Sequence, residues 1–165
     1  MKNNFSETMD WALWFSWIMA ATVGWVVGNI FFSGIPVIMA GAAISALQWA
    51  VLHGRIKNAW RWVIFSVAGW IGGYILFVSL FSTNMGFLLG PLIGVSVGVP
   101  QWFILKNEVD WSGWWIIMSF IGWTTGITIM PGLFTSGALP GALTGLTLAL
   151  LFRYSSTPGR NNSGS

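Results

Sequence analysis

The chain has 165 residues, 55% hydrophobic and 7% charged, with a net charge of +3, whereas a soluble domain carries about 25% charged residues. That is too little polar side chain to clothe a water-facing surface, and the bilayer is the solvent this composition fits. Zero cysteines exclude disulfides, thiolate metal sites and a cysteine nucleophile, and seven Lys and Arg scattered among short loops form no basic patch for nucleic acid.

Runs of about 20 apolar residues mark membrane spans. In chain order they predict helices near 11–32, 36–52, 60–81, 86–105, 111–130 and 137–152. Charges, Pro and Gly set these bounds, because helices apolar on all sides carry no usable periodicity. The second and sixth are short for a full span. Residues 1–32 are expected to be retained structure rather than a signal peptide, since Glu7 and Asp10 sit in the would-be basic region. The polar tail 154–165, rich in Ser, Gly and Asn, is expected to be disordered.

The charges sort to one side. Lys2, Glu7 and Asp10 precede the first helix; His53, Arg55, Lys57 and Arg61 lie between the second and third. Lys106, Glu108 and Asp110 lie between the fourth and fifth, and Arg153 and Arg160 follow the sixth. The other connections, "FSGIP", "FSTNM" and "MPGLFTSG", are uncharged. Six spans therefore predict both termini in the cytoplasm.

Gly-Trp-x-x-Gly is written three times, as "GWVVG" (24–28), "GWIGG" (69–73) and "GWTTG" (122–126). Eight residues before Trp25, Trp70 and Trp123 stand Trp17, Trp62 and Trp115. The following helices align on "LQWAVLH" (47–53) and "PQWFILK" (100–106), with "TLALLFR" (147–153) as a diverged third copy. The expected fold is all-α integral membrane: six transmembrane helices in one domain, 1–153, made of parallel-repeat hairpins at 11–53, 60–106 and 111–153. Parallel repeats are related by an axis along the membrane normal, which predicts a pseudo-threefold bundle.

Lipid offers no hydrophobic drive for helix association, so packing relies on small residues. Gly24, Gly28, Gly41, Gly69, Gly73, Gly94, Gly98, Gly122, Gly126, Gly141 and Gly145 are assigned to helix packing, with Gly86 and Gly90 extending the stripe of the fourth helix. Ten of the 13 Trp (Trp11, Trp14, Trp17, Trp49, Trp60, Trp62, Trp102, Trp111, Trp114 and Trp115) fall in the cytoplasmic halves of their helices and are expected to anchor at the headgroup boundary. The mid-helix Trp25, Trp70 and Trp123 either form an aromatic ring on the axis or face outward beside glycine grooves; outward packing is the expectation. Gln48 and Gln101 are the leading polar candidates, as bridges between helices or as contacts to a ligand.

No Asp, Glu, Lys, Arg or His is predicted within the hydrocarbon core, where proton-coupled transporters normally place one. The lone His53 gives no multi-His metal site. Glu108 and Asp110 read as a solvated loop facing Lys106, and Thr124, Thr125 and Thr128 as hydroxyls bonded back to helix carbonyls. No nucleophile–base pair and no phosphate-binding glycine motif is evident, so neither enzyme activity nor a cofactor is expected.

On the motifs "QWAVL" and "QWFIL" the whole chain resembles small polytopic bacterial membrane proteins with no assigned activity. That resemblance implies the bacterial inner membrane and no catalytic residues. More loosely, the chain is similar to the vitamin-binding S-components of energy-coupling-factor transporters, with Ala20, Gly24 and Gly28 standing where their small-residue motif lies. Two functions follow as expectations. One is a non-catalytic accessory or scaffold subunit whose partners are membrane lipid, another integral membrane protein or a second copy. The other is a small-molecule-binding transport component with Trp25, Trp70, Trp123, Gln48 and Gln101 around an axial pocket.

Overall fold

A computed structural model describes residues 9–32, 35–81 and 83–155. Lys2, Glu7, Arg160 and the tail from 156 onward lie outside the described residues. All regular structure among the described residues is helical: α1 (Trp11–Phe31), α2 (Pro36–Leu52), α3 (Trp60–Leu80), α4 (Leu89–Leu105), α5 (Trp114–Trp123) and α6 (Thr135–Ser155). A 3₁₀ segment, Thr83–Leu88, leads into α4, and a π-helical segment, Thr124–Ile129, extends α5.

Local chemistry places the ends. The Asp10 carboxylate caps α1 by accepting from Leu13 N–H at 2.8 Å. Partial burial alone would raise the Asp10 pKa, but the Leu13 hydrogen bond and the Arg55 guanidinium hold it below its ordinary value. Pro36 opens α2 at its first turn, where a missing N–H costs nothing. Gly54, at φ +83°, takes the left-handed turn that ends it. Pro131 and Gly132 separate the π segment from α6.

Four helices are long and apolar enough to cross a membrane: Trp11–Phe31, Trp60–Leu80, Met85–Leu105 and Thr135–Ser155. Pro36–Leu52 and Trp114–Ile129 are shorter apolar helices. The sequence expectation is corrected in one respect, because the short second helix of the last hairpin is in fact 21 residues long. It begins at Thr135 and continues through Tyr154 and Ser155, which were expected in the tail. Arg153 in the last turn does not stop it, since a cation there suits the helix dipole.

The helices close into a ring in chain order, each packed on the next and α6 returning to α1. The ring buries a set of polar side chains within an otherwise apolar core and is clad in apolar ones. Ser45, Gln48, Ser66, Gln101, Ser119 and Thr144 are buried, while Phe15, Val23, Ile64, Ile75, Val95 and Ile117 are exposed. An apolar exterior around a polar-containing core is consistent with a membrane protein.

The glycines divide by interface. In α1, Gly24 and Gly28 lie against the α2 backbone at Ile44 and Ala40. In α3, Gly69 and Gly73 lie against Ser96, and in α5 and its extension, Gly122 and Gly126 lie against Pro140. The even-numbered helices turn theirs to the next helix round the ring. Gly41 meets the Trp70 ring, Gly94 and Gly98 meet α5, and Gly141 and Gly145 meet α1 at Ile18 and Trp17. A methyl group on Gly94 would stand 2.7 Å from Phe120 Cα, and one on Gly98 2.9 Å from Ser119 Cβ. Gly86 departs from the expected stripe. It lies in the 3₁₀ segment and faces open space.

Gly94→Leu and Gly98→Leu are therefore expected to abolish the monodisperse protein on size-exclusion chromatography in detergent, because the α5 backbone at Phe120 fills the space beside the first and the buried Ser119 side chain that beside the second. Gly86→Leu should elute as wild type. Equal behaviour of all three would remove the packing role of α4.

Candidate functional site: two tryptophan tiers and a polar collar

Two turns separate residues eight apart on a helix, so Trp17 and Trp25, Trp62 and Trp70, and Trp115 and Trp123 each share a face. In all three cases that face points to the middle of the ring. Trp17, Trp62 and Trp115 form a first tier with ring centroids 5.5–5.9 Å apart and interplanar angles of 72–81°. Such edge-to-face contact sets the positive rim of one indole on the negative face of another. Trp25, Trp70 and Trp123 form a second tier with centroids 4.7–6.5 Å apart.

Both tiers correct the sequence expectation. Trp17, Trp62 and Trp115 are 0%, 0% and 1% exposed and so cannot anchor at a headgroup boundary. Trp25, Trp70 and Trp123 do not face outward but pack on one another, at 7%, 1% and 4% exposure. Trp11, Trp49, Trp60, Trp111 and Trp114 remain exposed near the helix ends.

The first tier is possible because each indole N–H has an acceptor. Trp62 Nε1–H donates to Gln48 Oε1 and Trp115 Nε1–H to Gln101 Oε1, both at 3.0 Å. Each bond crosses between helices, α3 to α2 and α5 to α4. The aligned third position is Leu148, which has nothing to offer. Trp17 Nε1–H instead donates to Thr144 Oγ1, one turn earlier on α6, at 3.0 Å. The Thr144 hydroxyl then donates to Pro140 O.

Gln101 makes a second bond, Nε2–H to Ser66 Oγ at 2.8 Å, and so joins three helices. Ser119 is the α5 counterpart of Ser66, but the α6 residue aligned with Gln101 is Leu148. The Ser119 Oγ is fully enclosed and left without a partner among the described residues. No hydrogen bond joins the indole N–H of Trp25, Trp70 or Trp123 to any described residue. Between the tiers lies a cavity of ≈ 10 Å³ lined by Ala21, Ile44, Gln48, Trp70, Val97, Gln101, Trp115, Trp123, Gly141 and Thr144. The structure thus brings Trp70, Trp123, Gln48 and Gln101 to one place, with Trp25 in the tier above.

Below the first tier the loops close the bundle. Ile56 and Val109 are buried in the same apolar cluster as Trp17, Trp62 and Trp115. Both loops then use a left-handed residue, Asn58 at φ 53° and Trp111 at φ 59°; the second is unfavourable for a bulky side chain. Arg55 pairs with Asp10 at 2.7 Å, and Asp110 N–H donates to Ser155 Oγ at 2.9 Å, tying the loops to the start of α1 and the end of α6. Lys106 does not engage Glu108 or Asp110. Its ammonium lies over the Trp102 and Phe103 rings, 5.2 and 4.5 Å from their centroids. The His53 ring meets Trp49 edge-on at 5.5 Å. Thr124 and Thr125 bond back to Phe120 O and Ile121 O as expected, whereas Thr128 reaches across to Phe87 O.

Thr144 and Ser66 were not singled out in the sequence, and Trp17, Trp62 and Trp115 were given a surface role. The eight-residue spacing to the mid-helix tryptophans is the signal that finds the first tier. A hydroxyl one turn before the aberrant Leu148 is the signal that finds Thr144. Comparison with protein families, curated proteins and solved structures finds no match to this chain.

Gln101→Leu strands the Trp115 N–H and takes the hydrogen-bond donor from the Ser66 hydroxyl, whereas Gln48→Leu strands the Trp62 N–H alone. A stranded buried donor costs about 1–3 kcal/mol. Chemical unfolding in micelles should show both variants destabilised, Gln101→Leu by about 1 kcal/mol more; the reverse order would place the key bridge at Gln48.

Proposed function

We propose that the chain is a non-catalytic six-span membrane protein of three hairpin repeats about a pseudo-threefold axis, with both termini cytoplasmic. It acts through its outer faces, as an accessory or scaffold subunit that binds lipid or a membrane partner. The carrying observation is the filled axis. Six indoles occupy it, and the space between them is ≈ 10 Å³, against about 300–1,000 Å³ for a small-molecule pocket. A transport component with an axial pocket needs that volume. The S-component comparison meets a second obstacle, since Gly24 and Gly28 are covered by α2 of their own hairpin.

The repeat reading is supported by pairs of residues in like settings 53 positions apart: Gln48 and Gln101, Ile56 and Val109, Trp62 and Trp115, and, by their left-handed backbone alone, Asn58 and Trp111. The spans of α2 and of α5 with its extension are about 25 Å at 1.5 Å per residue, so the reading requires bilayer thinning or tilted neighbours there. The cytoplasmic assignment rests on charge, and the inner bacterial membrane on the resemblance alone. Every Lys, Arg, Asp and Glu among the described residues belongs to the end that holds the loops after α2 and α4.

Native mass spectrometry of gently extracted protein tests the function. A co-purifying membrane protein, a defined homo-oligomer or retained phospholipid is expected; a stoichiometric small molecule other than lipid would overturn the accessory reading. Topology has its own test, helped by the absence of native cysteine. Lys57→Cys should react with an impermeant maleimide only from the cytoplasmic side, and Leu133→Cys only from outside. The opposite labelling would invert the assignment.

A further inference from the structure

The geometry points to a binding site for a single water molecule on the bundle axis, held between the two tryptophan tiers by Gln48, Gln101, Thr144, Trp70 and Trp123. Hydrogen-bond accounting leads to it. A side-chain amide carries two donors and an acceptor. The Gln101 amide is engaged on both sides, Oε1 by Trp115 and Nε2 by Ser66. Gln48 has the first bond, from Trp62, but its Nε2 has no counterpart to the second. The reason is one residue in α1: where α3 has Ser66, four residues after Trp62, α1 has Ala21, four residues after Trp17. Ala21 lines the same cavity as Gln48.

Two further rings border this place: Trp70 and Trp123 line the cavity, and neither indole N–H has an acceptor among the described residues. Buried donors are almost always satisfied, by protein or by ordered water. The cavity volume, ≈ 10 Å³, matches the lower bound of about 10–15 Å³ for a single water, and a water needs two to four polar partners. Here it accepts from Gln48 Nε2–H and an indole N–H, and donates to the free lone pairs of Gln101 Oε1 and Thr144 Oγ1. An apolar guest of that size satisfies none of these groups. The site supplies through solvent the link that Ser66 supplies in the neighbouring hairpin.

The test uses the ¹⁵N-labelled full chain in phospholipid nanodiscs and reads magnetisation transfer from water to the indole Hε1 protons. Cross-peaks from a long-lived water are expected at Trp70 or Trp123. Ala21→Ser places a hydroxyl beside Gln48 Nε2 and should abolish those cross-peaks. Their absence from the folded wild-type protein would overturn the proposal without any variant. Their persistence at full intensity in a folded Ala21→Ser protein would also overturn it, by placing the water elsewhere.

Discussion

An indole N–H buried in a bundle core calls for an acceptor, and the placement of three of them governs this bundle. Tryptophan has the largest apolar surface of any side chain and one donor it cannot withdraw. Gathering Trp17, Trp62 and Trp115 at the centre gives a core cluster of three rings in edge-to-face contact. It also obliges the neighbouring helices to present three acceptors at matching depth. Gln48, Gln101 and Thr144 meet that demand. Because each bond runs from an odd-numbered helix to the even-numbered helix beside it, the requirement fixes which helices are neighbours and at what height. The glycines then determine how close they come. With backbone against backbone at Gly24, Gly69, Gly94 and Gly137, the ring is tight enough for indoles to fill its middle.

Much of this was legible in the sequence, for identifiable reasons. Six apolar runs separated by Pro, Gly and charge gave the helices to within a few residues, since a helix is the only way an isolated apolar segment satisfies its backbone in lipid. The glycine stripes gave the contact faces, because a small residue recurring every fourth position has few uses besides close approach. Rotation about each helix axis was not legible. Trp17 and Trp11 are one residue type in one apolar helix, yet Trp17 is buried and Trp11 exposed. What separates them is an acceptor more than a hundred residues away, Thr144, and local composition carries no trace of it. The same gap hid the bundle side of the mid-helix tryptophans. Helix ends near Arg153 were misread because charge is a poor terminator where the cation lies at a helix C-terminus.

The departures from regularity are as informative as the regular parts. If the chain is a threefold repeat, as proposed, faithful copies would carry Ser at 21 in the first hairpin and Gln at 148 in the third. The chain carries Ala21 and Leu148 instead. Leu148 is fully buried, so its apolar side chain is tolerated by the core, but two consequences follow. Trp17 must bond one turn higher, to a hydroxyl that also serves Pro140, and Ser119 loses the donor that its counterpart Ser66 enjoys. The seam between the last hairpin and the first is thus held by a different bond from the other two. Its backbone approach is correspondingly close, with Gly137, Gly141 and Gly145 all set against α1.

That exchange bears on where a partner would act. Inside the ring, the cavity described between the tiers is of water size, ≈ 10 Å³. Under the proposed accessory role, selectivity for anything larger is expressed on the outside. There the described surface offers two unlike zones. Around the apolar belt, Phe15, Ile64, Val78 and Ile121 present side chains with no polar feature to read, which suits lipid acyl chains. At the charged end, Trp60 and Trp111 are exposed, and two cations are already poised over aromatic rings, Arg61 on Trp60 and Lys106 on Trp102. A cation held over a ring keeps its remaining N–H donors free for an anionic group at headgroup depth. On that ground the charged end, rather than the axis, is where the proposed accessory role would find its specificity.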